Sequence, residues 1–109
     1  MRRLLILAPA LLAGCAPQSH EAIMAEIESK VVMPEGTPPL DRYARYYAIR
    51  SDGSVVGEYI SGGFREKPGR QWVEFDKLPL VYDGGCSVIT ITYDPRWRIV
   101  SRPHCNGYA

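Results

Sequence analysis

Residues 86–105 read CSVITITYDPRWRIVSRPHC, and the architecture expected of the whole chain grows outward from this stretch. Val88, Ile89, Thr90, Ile91 and Thr92 are a run rich in β-branched side chains, which pack well on a pleated, half-buried surface. Asp94-Pro95-Arg96-Trp97 has turn chemistry, and Ile99 and Val100 supply a return strand. The pattern predicts a hairpin with Tyr93 opposite Arg98. Continued outward, that register sets Val88 opposite Pro103 and Cys86 opposite Cys105. With Tyr93 and Arg98 as a hydrogen-bonded pair, both outer pairs are of the non-hydrogen-bonded kind. Pro103 then needs no donor, and the cysteines approach to ~4.5 Å between Cα atoms, within disulfide range. A bridge closing such a loop contributes ~3 kcal/mol in the chain-entropy account.

The same residues hold most of the chain's reactive chemistry. A thiol nucleophile at Cys86 or Cys105 with His104 as base would need the imidazole beside the sulfur. His104 adjoins Cys105 in sequence, so on a strand the two point to opposite faces. A metal centre on Cys86, His104 and Cys105 has the same fault and lacks a fourth ligand at a standard spacing. The expectation is a structural disulfide, with no catalytic residue, metal or cofactor.

Upstream, Asp83-Gly84-Gly85 reads as a turn into the strand; it lacks the Lys-Ser/Thr and the helix that make a phosphate loop. Leu78-Pro79-Leu80-Val81 reads as an edge or crossing segment, because Pro79 cannot donate to a ladder. Arg70 to Phe75 reads as a strand, set off by Gly62, Gly63 and a Lys67-Pro68-Gly69 turn. Glu74 and Asp76 sit two apart and read as solvated charges. Ser51-Asp52-Gly53-Ser54 between the Asp41 to Arg50 and Val55 to Ile60 runs predicts a hairpin, although Tyr43, Tyr46 and Tyr47 also suit a helix. As a strand, Tyr43, Tyr47 and Ile49 share one face and Ala44, Tyr46 and Ala48 the other. Pro34, Gly36, Pro38 and Pro39 mark a loop. His20 to Lys30 predicts a helix capped by Ser19, with Ile23, Met24, Ile27 and Val31 as its core-facing stripe.

The chain opens with Arg2 and Arg3, an apolar run from Leu4 to Leu12 broken by Pro9, and the small residues Ala13 and Gly14 before Cys15. The apolar run is shorter than the ~20 residues that span a bilayer. Leu12-Ala13-Gly14-Cys15 resembles the lipobox of bacterial lipoproteins. That resemblance covers about the first sixteen residues and implies cleavage before Cys15 with a diacylglycerol (palmitate-type) anchor on its sulfur. The expected organisation is a signal peptide over 1–14, a lipidated tether over 15–19 and one small domain over 20–109. Ala16, rather than an aspartate, follows the cysteine, which in such lipoproteins favours the periplasmic face of the outer membrane.

The chain carries 13 Lys+Arg and 12 Asp+Glu, and loss of Arg2 and Arg3 leaves 11 against 12. A near-neutral chain of about 95 residues offers no electrostatic footprint for nucleic acid. With Cys15 acylated, Cys86 and Cys105 remain as an even pair, as expected outside a reducing compartment. The fold class expected is α+β: an N-terminal helix on a four- to five-stranded antiparallel sheet, with a stapled C-terminal hairpin. In outline this is similar to the small lipoprotein assembly factor of the outer-membrane β-barrel machinery, and to cystatin-like and nuclear-transport-factor-like folds, a likeness that carries no function. Two functions suit it. One is a non-catalytic accessory protein that meets another envelope component. The other is a ligand-binding module in which Tyr43, Tyr46, Tyr47, Tyr59 and Trp72 line a sheet face for a glycan, peptide or lipid.

Overall fold

A computed structural model describes residues 18–61, 67–79, 81 and 84–106. Helix α1 covers His20–Lys30. It begins where Ser19 Oγ accepts from the Ala22 N–H at 3.1 Å, satisfying one of the donors that a helix start leaves unpaired. Met24 and Ile27 are buried, and Ile23 and Val31 pack against the same cluster, so the stripe faces the core. The helix precedes the strands in the chain but is internal to it, beginning at residue 20. Among the described residues no helix is long and apolar enough to cross a membrane.

Among the described residues six strands form one mixed sheet: β1 Ala44–Ile49, β2 Val55–Ile60, β3 Gly69–Trp72, β4 Gly85–Asp94, β5 Ile99–Val100 and β6 His104–Asn106. Their order is β3-β1-β2-β4-β5, with β6 also on β4. The β1–β2 hairpin forms, with Ile49 opposite Val55 and Ala44 opposite Ile60. Its turn is held by the Arg50 N–H to Ser54 O bond at 2.8 Å and by Asp52, which accepts from Ser54 N–H at 2.9 Å.

The expected antiparallel sheet is corrected in one strand. β3 lies parallel to β1, with Gly69 opposite Ala44 and Trp72 opposite Tyr47. The cause is competition for an edge. β4 takes the outer edge of β2 over six pairs, from Val55 with Tyr93 to Ile60 with Val88. The chain leaving β2 must then step across to the free edge of β1, and it starts upward again from the same end.

The hairpin register is corrected as well. Asp94 stays in β4 and pairs with Ile99, and Tyr93 pairs with Val100 rather than with Arg98. The turn therefore spans residues 95–98, closed by the Arg98 N–H to Asp94 O bond at 2.6 Å, with Arg98 left-handed at φ 57°. Asp94 Oδ1 also accepts from Arg96 N–H at 2.9 Å, which fastens the turn one residue later than composition suggests. Farther on, Ile89 pairs with Cys105 and Gly85 with Asn106, so three residues of β4 bulge against a single step of β6. Gly85 (φ 58°) starts this bulge in a conformation that other residues resist, and the Ser87 N–H bonds to Gly84 O at 3.2 Å across it. The Cys86–Cys105 disulfide nonetheless forms, with Cα atoms 4.5 Å apart, because the bulge returns the chain to the spacing that the straight ladder would have given.

Both faces of the sheet are covered. On one, α1 packs over Tyr43, Tyr47, Tyr59, Ile89, Ile91 and Tyr93, all buried. Gly57 lies beneath Tyr47, where a Cβ would come within 2.9 Å of its ring. On the other face, buried Ala44, Ala48, Val56, Ile60 and Val88 alternate with more polar residues. Here a short 3-10 turn, Phe75–Lys77, and then Leu78 and Pro79 run over the sheet as the crossing segment that Pro79 implied.

Candidate functional site

The helix face is organised by Glu28. Its carboxylate accepts from Arg45 Nε at 2.8 Å, from the Tyr47 hydroxyl at 2.8 Å and from Arg70 Nη1 at 3.1 Å, and Arg70 also bonds to Glu21. The Tyr47 and Tyr59 hydroxyls lie 2.8 Å apart, and the Tyr43 hydroxyl donates to Cys86 O at 3.1 Å. Burial is the main reason that both Tyr47 and Tyr59 are held above the usual phenol range. These hydroxyls stay protonated and serve as connectors. A second knot lies on another side of the helix, two residues from Glu28, where Glu26 accepts from Arg98 at 2.7 Å, Lys30 at 2.9 Å and Gln18 at 3.1 Å. Arg98 first, then Lys30 and Gln18, hold the Glu26 carboxyl well below the ordinary range.

The opposite face carries a polar row. Paired residues share a face, so Tyr46, Glu58, Thr90 and His104 line up across β1, β2, β4 and β6. Thr90 Oγ1 lies 3.0 and 3.1 Å from the two Glu58 oxygens. Burial pushes the Glu58 carboxyl up, against the opposing pull of Thr90, His104 and Arg50. Val56, Glu58 and Thr90 floor a groove of about 310 Å³ whose wall is Phe75, Leu78 and Pro79, with Arg50 and Asp76 at its rim. Phe75 is 54% exposed there. Chemically this is an apolar slot with one carboxylate at its base.

A third feature lies at the end of the sheet where the β1–β2 and β4–β5 turns meet. Trp97 is 69% exposed and Ile99 62%, flanked by Arg96 and Arg98. Trp72 ends β3 near the same end and stacks on His20 at 4.0 Å, nearly parallel.

Of the residues singled out by sequence, Cys86 and Cys105 are bonded to each other, and Cys15 lies outside the described residues together with the rest of the segment 1–17. Of the five aromatic residues of the expected ligand face, Tyr43, Tyr47 and Tyr59 pack together, and Tyr46 and Trp72 lie apart from them. Tyr43, Tyr47 and Tyr59 are fully buried under α1, Tyr46 is half-buried on the opposite face, and Trp72 is half-buried against His20 at the β3 edge. His104 and Cys105 occupy successive positions of β6, paired with Thr90 and Ile89 on opposite faces. Sequence reasoning missed Glu58, although a lone acid within Val55–Ile60, on the same face as Val56 and Ile60, is a legible sign of a carboxylate set among apolar neighbours.

Family models, curated proteins and solved structures were each compared with the chain, and none matches it.

Proposed function

We propose that the protein is a lipid-anchored envelope lipoprotein with a non-catalytic accessory role, held at the periplasmic face of the outer membrane through Cys15 and presenting its domain to an envelope partner. The observation that carries the reading is the set of exposed large apolar side chains among the described residues, Val32 at 77%, Trp97 at 69%, Ile99 at 62%, Phe75 at 54% and Ile49 at 50%, on a small domain. The Cys86–Cys105 disulfide supports export, since such bonds persist in oxidising compartments. The lipobox residues Leu12, Ala13, Gly14 and Cys15 support the anchor. The test is fractionation of cells expressing the full chain and a Cys15→Ser variant. Membrane association of the parent and its loss in the variant are expected; equal distribution of the two overturns the anchor.

A second reading, a ligand-binding module, is favoured by the Glu58 groove alone. Its occupant would pair a cationic group with Glu58 and an apolar body with Phe75 and Leu78. Chemical-shift changes at Thr90 and Phe75 on titration with an alkylamine, absent in Glu58→Gln, would support it.

A further inference from the structure

We propose that the turn end of the sheet rests on the headgroup layer of the membrane that holds the anchor, with Trp97 and Ile99 as the inserting side chains. This inference depends on the anchoring proposed above and adds the orientation of the domain.

Tether length comes first. Only four residues, Ala16 to Ser19, separate Cys15 from α1, and the five steps from Cys15 to His20 reach at most ~18 Å. The start of the helix is thus confined near the lipid. Its place in the fold is known: His20 stacks on Trp72, which pairs with Tyr47 only two residues short of the Ile49 end of β1. Ile49 pairs with Val55, Val55 with Tyr93, and Tyr93 with Val100, so this is the end that carries the residue 95–98 turn. The helix C-terminus returns to the same end, where Lys30 Nζ donates to Arg98 O at 2.8 Å. Eleven residues of α1, ~16 Å long, therefore separate the tether exit from the turn. Trp72 pairs on the Ile49 half of β1, so the tether exit lies over the same half of the sheet as the turn.

The chemistry of that end suits a lipid interface. Trp97 is an aromatic with a polar N–H tip, the kind of side chain enriched where bilayer meets water. Ile99, two residues on, and Ile49, 50% exposed, add apolar surface. The Arg96 and Arg98 side chains are 75% and 63% exposed, and their guanidinium groups can reach headgroup phosphates while their stems lie along the apolar surface. Arg96 lies 3.9 Å from Asp94 and Arg98 pairs with Glu26, and Asp52 sits in the neighbouring turn. With acids and bases nearly balanced, apolar insertion drives the contact more than net charge does, and the contact should survive added salt.

The test uses the mature lipoprotein with Trp72→Phe, which leaves Trp97 as the sole reporter of the two tryptophans. It is reconstituted into phosphatidylcholine vesicles carrying bromine at graded acyl-chain depths. Expected are a shift of Trp97 emission to shorter wavelength and a loss of intensity greatest for the shallowest bromines, both retained at high salt. A Trp97→Phe variant of the unsubstituted protein gives the same signal by subtraction should Trp72→Phe unfold. Water-like, unquenched Trp97 emission from protein whose intact mass shows an acylated Cys15 overturns the orientation and leaves the anchor standing, with a protein partner then the occupant of this end. Vesicle-free protein with unmodified Cys15 overturns the anchor and the orientation together.

Discussion

Glu28 reaches from the helix to the sheet with a side chain only 13% exposed, and Arg45, its nearest cation, is 11% exposed. Removing the carboxylate strands a nearly buried guanidinium and the Tyr47 hydroxyl at once, so Glu28→Ala is expected to cost about 3 kcal/mol, the scale of breaking a buried pair from one side. Urea unfolding reads this directly, and a loss well under 1 kcal/mol would contradict the role given to Glu28. Glu58 behaves in the opposite sense. Its folded carboxyl is raised by burial, so the folded state holds the proton more tightly than the unfolded chain does. Stability from this group falls as pH rises from the unfolded value of about 4.3 through the raised folded one, and ionised Glu58 is a cost at neutral pH. Glu58→Gln should therefore raise the melting temperature at neutral pH and lose that advantage near pH 4, as circular dichroism at both conditions will show. Glu26 runs the other way: its depressed carboxyl stabilises the fold above the unfolded value, and that contribution is lost as pH falls. Glu58 carries a sequence sign, its place among apolar strand neighbours, but the environments of Glu26 and Glu28 do not. Only tertiary placement gives Glu26 two cations, Glu28 two arginines and a tyrosine, and Glu58 a threonine.

Elements were more readable than residue environments. Local signals gave α1, its Ser19 cap, the β1–β2 hairpin and the strand character of β4, because caps, turn residues and β-branched runs act over a few neighbours. The parallel placement of β3 was not readable, since it depends on β4 occupying the edge of β2 from some thirty residues downstream. A straight ladder from Tyr93 and Arg98 pairs Cys86 with Cys105, but in the structure the turn sits one residue later and the bulge after Gly85 restores the spacing. The bridge has a sequence separation of 19, so replacing both cysteines by alanine should cost about 3 kcal/mol. Thermal unfolding of the double variant against the oxidised parent measures it. Equal stability of the two would mean that the hydrogen bonds around the bulge already hold β6 on β4 without the bridge.

At the scale of the whole molecule, the helix covers one face of the sheet, the segment through Phe75–Lys77 crosses the other, and the exposed Trp97 and Ile99 gather at one end. That distribution was invisible in composition, because a tryptophan in a turn reads the same whether it folds back or stands out. The tyrosines show the same limit from the other side. Period-2 alternation placed Tyr43 and Tyr47 on one face correctly, but it could not say that a helix would close over that face. The proposed biology takes Cys15 as a site of acylation and the Cys86–Cys105 disulfide as a mark of export. Intact-mass analysis of the protein extracted from membranes, alkylated before and after reduction, tests that claim most directly. The account predicts a chain lacking residues 1–14, with a diacylglycerol on Cys15 and thiol label entering only after reduction. An uncleaved chain that takes label on three thiols without reduction would contradict it.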